Sequence, residues 1–353
     1  MSNKVVTKQL DLDGRTLKLE TGKLAQLTEA AVLASWGDTV VLVTVATKTS
    51  TEVMDYFPLS VEYVEKYYAG GRITAQKFIK RESRPSEKAI LSGRAIDRSI
   101  RPLFPKEFRQ EVQIIISVLS FDGQNDPALL GFIGTSAALS LSSLPWAGPL
   151  GVTQVGERDG KLVFNPLMTD VEHLSMDLVV ASGKDTVAMI EAEAKETSDE
   201  VIYNAIEEGH KHSQDIIKLI EEFVAEAGKA VASAKKEFAT AAPTVDKKVL
   251  DEAKQLAQTR IEAALNDPVN PWHEATGEQI KNEVIAQFAE QLTAQQVSGI
   301  FDKAAKEIMN DTVLNKGKRV DGRAMDQVRD INIETGLLPR VHGSSVFSRG
   351  DTQ

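Results

Sequence analysis

Two stretches of this chain, more than three hundred residues apart, repeat one another. Residues 20–39 read ETGKLAQLTEAAVLASWGDT and residues 334–352 read ETGLLPRVHGSSVFSRGDT. With one gap they share Glu-Thr-Gly, a following Leu, a Val, a Ser and a closing Gly-Asp-Thr, and each is preceded by Asp-Gly-Arg, at Asp13-Gly14-Arg15 and Asp321-Gly322-Arg323. An ordered set of this kind argues for a duplicated domain and constrains the fold before any local propensity does. In the first copy the motif runs into a β-branched strand, Thr39–Thr47. In the second, Ser344–Ser348 reads as a strand and Arg349-Gly350-Asp351 as a turn, with a new strand opening at Thr352. A hairpin cut there leaves ladder donors and acceptors without partners. The expectation is a fragment whose second copy continues beyond Gln353. The rival is a complete short protein with a degenerate C-terminal hairpin.

At 353 residues the chain is long enough for two or more domains with sizeable cores. It has no cysteine, which excludes a disulfide framework and thiolate metal sites. No run of about 18 apolar residues occurs, and the first residues carry no apolar signal core, so no membrane association and a cytoplasmic location are expected. The net charge of −10 argues against bulk attraction to nucleic acid. Between Arg72 and Arg109, however, eleven cations face four carboxylates, while residues from about 190 to 312 are acidic. Any polyanion site must use that local patch.

Strand-like runs recur up to about residue 192: Thr39–Thr47, Pro58–Tyr63, Val112–Ser120, Gly151–Val155, Leu162–Phe164, Met176–Ala181 and Thr186–Ile190. Helices are expected from Pro85 to Arg101, stopped by Pro102, and from Pro127 to Leu144, stopped by Pro145. This order predicts an α+β domain with a mixed sheet. After Thr197 the apolar period becomes helical. ATAAPTV at 239–245 reads as a linker, and helices at 246–266, 276–292 and 294–311 predict a small all-helical domain. The expected domains are 1–238, 246–314 and a truncated second copy at 315–353.

The basic segment KFIKRESRPSEKAILSGRAIDRSIRPLFP sets Phe78 beside Lys80 and Arg81, with Arg84 close behind. An aromatic flanked by cations can stack a base and hold its phosphate. Arg94, Arg98 and Arg101 recur at i, i+4 and i+7 on the following helix. The bland alternatives are a solvated turn at Lys80-Arg81-Glu82 and helix arginines paired with carboxylates such as Asp97. His210-x-His212 on a helix gives no metal spacing.

GGRITAQKFIKRESRPSE, AIDRSIRPLFP, YFPLSVEY, GTSAALSLSSLPWAGPLG and MDLVVASG closely resemble the first core of bacterial polynucleotide phosphorylases. The likeness covers essentially the whole chain: an RNase PH-like core, a helical domain and the start of a second RNase PH-like core. In that family the loop is usually Phe-Phe-Arg-Arg-Glu. Here it is Phe78-Ile79-Lys80-Arg81-Glu82, so a point charge replaces one guanidinium fork. The resemblance implies a phosphate-dependent 3′-to-5′ exoribonuclease of mRNA turnover that releases nucleoside diphosphates and runs in reverse as a polymerase. It further implies phosphate as co-substrate, Mg2+, single-stranded RNA, a homotrimeric ring and partners in RNA-degradation complexes.

The family's catalytic and metal residues lie in the second core, and none is expected in this chain before Gln353. Where the active core has a serine-rich phosphate turn, this copy reads Asn125-Asp126-Pro127-Ala128-Leu129-Leu130. Asp177 lacks the lysine that follows its counterpart, and Ser92 stands where the active copy has a histidine. The first core is therefore expected to handle RNA through Phe78, Lys80, Arg81, Arg84, Arg94 and Arg98. The alternative is a non-catalytic RNA-binding or scaffold subunit of an exosome-like ring.

Overall fold

The computed structural model describes residues 5–48, 56–73, 84–228, 246–265 and 274–353. It divides into two compact units, Met1–Thr240 and Ala241–Gln353.

The first unit holds two sheets. The larger is mixed and contains β1 (Val6–Leu12), β2 (Arg15–Thr21), β3 (Ala30–Trp36), β4 (Thr39–Lys48), β5 (Leu59–Val64) and β6 (Glu111–Ser120) in the order β1-β2-β3-β4-β6-β5. Only β5 with β6 is parallel among its pairs. The chain must therefore cross over between these two strands, and α1 (Glu87–Ile100) lies in that crossover. The smaller sheet is antiparallel, ordered β10-β9-β7-β8, from β7 (Gly151–Arg158), β8 (Lys161–Phe164), β9 (Met176–Ser182) and β10 (Val187–Ala194).

Every expected strand run forms, but β1, β2 and β3 are absent from the expected set. β1 is mostly polar in sequence (VTKQLDL) and β3 is more than half alanine and serine (AAVLASW), so neither carries a strong strand composition. Their burial nonetheless alternates, and in β3 every second residue is buried.

Between the sheets lies α2 (Pro127–Leu141), with Asp126 as N-cap and Pro127 in the first turn. Twelve of its fifteen residues are buried, because it packs on β3 and β4 and also on β7 and α4 (Asp199–Gly228). A helix buried on all sides needs apolar residues all round, and PALLGFIGTSAALSL supplies them. Gly131 and Gly134 let it approach the sheet. A Cβ there would fall 2.8 Å from a methyl of Ile116 or of Val43. The one-turn α3 (Met168–Val171) completes the unit's helices among the described residues.

In the second unit α5 (Lys247–Leu265), α6 (Glu274–Phe288) and α7 (Ala294–Leu314) pack around Ala257, Ile261, Val284, Phe301 and Ile308. A capping box between Thr293 and Gln296 starts α7. Beyond it, β11 (Ile331–Thr335) pairs antiparallel with β12 (Ser345–Arg349), Ile331 opposite Arg349 and Thr335 opposite Ser345. The expected turn forms: Gly350 and Asp351 are turn residues, and Arg349 and Thr352 exchange backbone hydrogen bonds across it as an isolated antiparallel bridge. The upstream partner β11 is absent from the expected strands.

Candidate nucleic-acid interface

Ser86 caps α1. Its hydroxyl accepts from the Ala89 N–H at 3.0 Å and donates to Glu65 at 2.8 Å. The helix buries Ala89, Gly93, Ile96, Ser99 and Ile100, and Gly93 lies so close to β5 that a Cβ would fall 3.1 Å from the Val61 carbonyl oxygen. With that face fixed inward, Arg94 and Arg98 are exposed, as is Arg84 ahead of the helix. Among the described residues Arg84 and Arg94 have no ion-pair partner, whereas Arg98 meets Glu191 of β10 at 2.9 Å.

Arg101 leaves the expected arginine face. Its guanidinium takes both oxygens of Asp97 at 2.6 Å and donates to the carbonyls of Phe57 and Leu59 at 3.0 and 3.1 Å. It is a bracket between α1 and the entry to β5. Phe78, Lys80 and Arg81 fall outside the described residues.

The segment aligned with the family's phosphate turn is tied into the fold. Leu129 and Leu130 are core residues. Asp122 accepts from the backbone N–H groups of Gln124 and Asn125 at 2.8 Å each and from the Asn125 side chain at 2.6 Å. Burial opposes its charge, but these donors prevail and hold its pKa down to about 2. Arg15 donates to Asn125 Oδ1 at 2.8 Å and to the Asn165 carbonyl at 2.5 Å, with its guanidinium 4.4 Å over the Trp36 ring. The first Asp-Gly-Arg thus knots four distant segments. The second closes locally, Arg323 to Asp321 at 2.8 Å and to the Gln327 carbonyl at 2.9 Å.

Asp177 Oδ1 accepts from Gln154 Nε2 at 2.7 Å. His212 sits on the Phe164 ring, centroids 4.6 Å apart, and joins Asp13 rather than His210. Among the described residues no group of three or more His, Cys, Asp or Glu is placed to hold a metal ion. No helix among them is long and apolar enough to cross a membrane.

Comparison with known proteins matches residues 13–145 to the 3′ exoribonuclease family, domain 1, and residues 148–212 to its domain 2. Residues 248–324 match the polyribonucleotide nucleotidyltransferase RNA binding domain, a role that helical periodicity alone gave no sign of. The polyribonucleotide nucleotidyltransferase of Chloroflexus aggregans is 44% identical over 99% of this chain and 46% of its own length. That of Roseiflexus sp. is 44% identical over 98% and 46%, and that of Desulforamulus reducens 42% over 99% and 48%. The chain spans about half the length of these relatives. The crystal structure of rice (Oryza sativa) Rrp46 superposes with a TM-score of 0.47 at 12% identity, covering 64% of this chain and 96% of that one. Domain order, the paired Asp-Gly-Arg segments and near-complete coverage agree: the chain belongs to the polyribonucleotide nucleotidyltransferase family and corresponds to the N-terminal portion of its members.

Proposed function

We propose that this chain is the RNA-handling portion of a phosphate-dependent 3′-to-5′ exoribonuclease, which degrades RNA to nucleoside diphosphates and can run in reverse. The observation that carries this reading is the match along 98–99% of the chain to relatives bearing that enzyme's name. In this reading residues 1–238 form a non-catalytic core, 239–245 a linker, 246–314 a helical domain and 315–353 the opening of the catalytic core. The protein works in the cytoplasm as a homotrimeric ring on single-stranded RNA, alongside partners of RNA-degradation complexes.

Phosphate is the attacking co-substrate, and Mg2+ belongs to the second core. Asp177 accepts a hydrogen bond from Gln154, and among the described residues no group of three or more His, Cys, Asp or Glu is placed to hold a metal ion. Positioning is what this portion contributes to phosphoryl transfer. Phe78, Lys80, Arg81 and Arg84 would grip the strand, with Arg94 and Arg98 extending the cationic track along α1. Exposure of Arg84 and Arg94 supports the assignment. Arg98 takes part by exchanging Glu191 for phosphate, a small cost for an exposed pair.

The test is fluorescence anisotropy of the 353-residue chain with a labelled single-stranded oligoadenylate across a salt series. Binding is expected to weaken with salt. The slope is expected to shrink by about 0.7 for each phosphate that Arg81→Ala or Arg94→Ala leaves without its cation. Unchanged affinity and slope in both variants would remove the assignment.

A further inference from the structure

The first unit carries a cleft, half open to solvent, of about 850 Å3, of a size that holds a nucleotide. Both α1 and α2 begin at it, through Pro85-Ser86 and Asp126-Pro127, so two helix N-termini add positive potential there. Lys66, Arg72, Arg84 and Lys88 line it against Glu65 and Asp126, an excess of cations within an acidic chain. One wall is Tyr67, 45% exposed, where nearby Tyr63 is buried at 5%. Asp126 adds an acceptor: its carboxylate takes the Ala128 N–H at 2.7 Å. Arg72 and Arg84 bracket in sequence the segment that carries Phe78, Lys80 and Arg81.

We infer that this cavity is a second subsite for single-stranded RNA. It takes one nucleotide, with the base against Tyr67, the phosphate toward Arg72 and Arg84, and a preference for bases whose exocyclic amino group can donate to Asp126. The inference rests on the RNA-handling reading and extends it from Arg84 to Tyr67, Arg72 and Asp126, which lie outside the Phe78–Arg84 segment. Aromatic stacking plus cations is the general means of holding an unpaired nucleotide. A carboxylate placed to meet an exocyclic amino group discriminates because uracil, alone among the four bases, lacks one and keeps only its ring N3–H as a donor. A bound RNA strand is preferred to a free nucleotide because the cavity's two arginines flank the segment assigned to the strand.

The experiment measures anisotropy of the 353-residue chain with labelled ten-nucleotide oligo(A) and oligo(U), with circular dichroism confirming the fold of each variant. Tyr67→Ala is expected to weaken oligo(A) binding about 5- to 100-fold and Tyr67→Phe to restore it. Asp126→Asn keeps the helix cap and is expected to bring the oligo(A) to oligo(U) affinity ratio toward one. Should Tyr67→Ala fail to fold, exposed Arg72→Gln gives the second reading, a shallower salt slope for oligo(A). Normal binding by folded Tyr67→Ala, or a Tyr67→Phe variant as weak as Ala, overturns the subsite. So does an unchanged slope in Arg72→Gln. AMP competing more tightly than oligo(A) overturns RNA as its ligand. Arg81→Ala separates the two proposals. If Arg81→Ala weakens binding while Tyr67→Ala does not, the subsite falls and the RNA-handling segment stands; the reverse removes the segment and keeps the subsite.

Discussion

His212 Nε2 lies 3.1 Å from Asp13 Oδ1, joining α4 to the β1–β2 turn across nearly two hundred residues. The hydrogen bond to Asp13 raises the His212 pKa above its usual value, against a smaller effect of burial. Burial alone would push Asp13 up, but hydrogen bonds from His212 and Asn165 and the nearby charges of His212 and Arg15 bring it below the ordinary carboxylate value.

The sign of each shift sets the pH window. The raised histidine contributes fully below its unfolded pKa of about 6.5, and that contribution is lost as pH rises through its folded value. The depressed aspartate contributes above its unfolded pKa of about 3.9, and that is lost as pH falls through its folded value. The pair therefore stabilises most at mildly acidic pH. Denaturant melts at pH 6 should show His212→Gln weaker than the parent by about 1 kcal/mol, with the gap narrowing by pH 8.5. A gap that is equal at both values would mean that packing on Phe164, not charge, holds the histidine.

Gly134→Ala sets a methyl 2.8 Å from Val43 at the centre of the first unit. Overpacking of this kind costs about 1–3 kcal/mol, partly offset by alanine's helix propensity of about 1 kcal/mol. Net destabilisation is expected in chemical melts. Adding Val43→Ala should cost less than a simple sum of the two single losses would require, since each relieves the other.

Arg101 and Arg94 should separate stability from binding. Arg101→Ala leaves Asp97 and two carbonyls short of their donor, at about 1–3 kcal/mol of stability. Arg94→Ala should leave the melt unchanged and weaken RNA binding. The opposite pairing of effects would mean that Arg101 belongs to the interface.

Purified residues 1–353 should release no nucleoside diphosphate from poly(A) with phosphate and magnesium, and should not polymerise ADP. Phosphate-dependent release would show that the first core is catalytic, despite its buried Leu129 and Leu130 in place of a phosphate turn.

Hydrogen exchange should divide the two copies of the repeat. β4 is held between β3 and β6 beneath α2, so its amides should exchange slowly. β11 and β12 form a two-stranded ribbon with β11 exposed throughout, and their amides should exchange within seconds. Equal protection would mean that the ribbon finds a further partner in solution.

Most of the order of elements, though not β1, β2, β3 or β11, was legible in the sequence because its signals are local. Pro85, Pro127 and Pro145 punctuate helices, β-branched runs mark strands, and the change of period near Thr197 marks the helical stretch. The repeated Asp-Gly-Arg and Gly-Asp-Thr segments revealed the duplication. Pairing was not legible. Alternation every second residue marks a strand without naming its partner, so nothing in Ser345–Arg349 pointed back to Ile331–Thr335, with which it pairs while also turning forward to Thr352. Nor could spacing tell Arg98, on the surface, from Arg101, turned onto the Phe57 and Leu59 carbonyls three residues later. Asp13, Arg15, Asn125, Asn165 and His212 carry no shared signal in sequence. They meet only because the sheets and helices, once packed, bring their polar groups to one place, where each needs a partner that water no longer supplies.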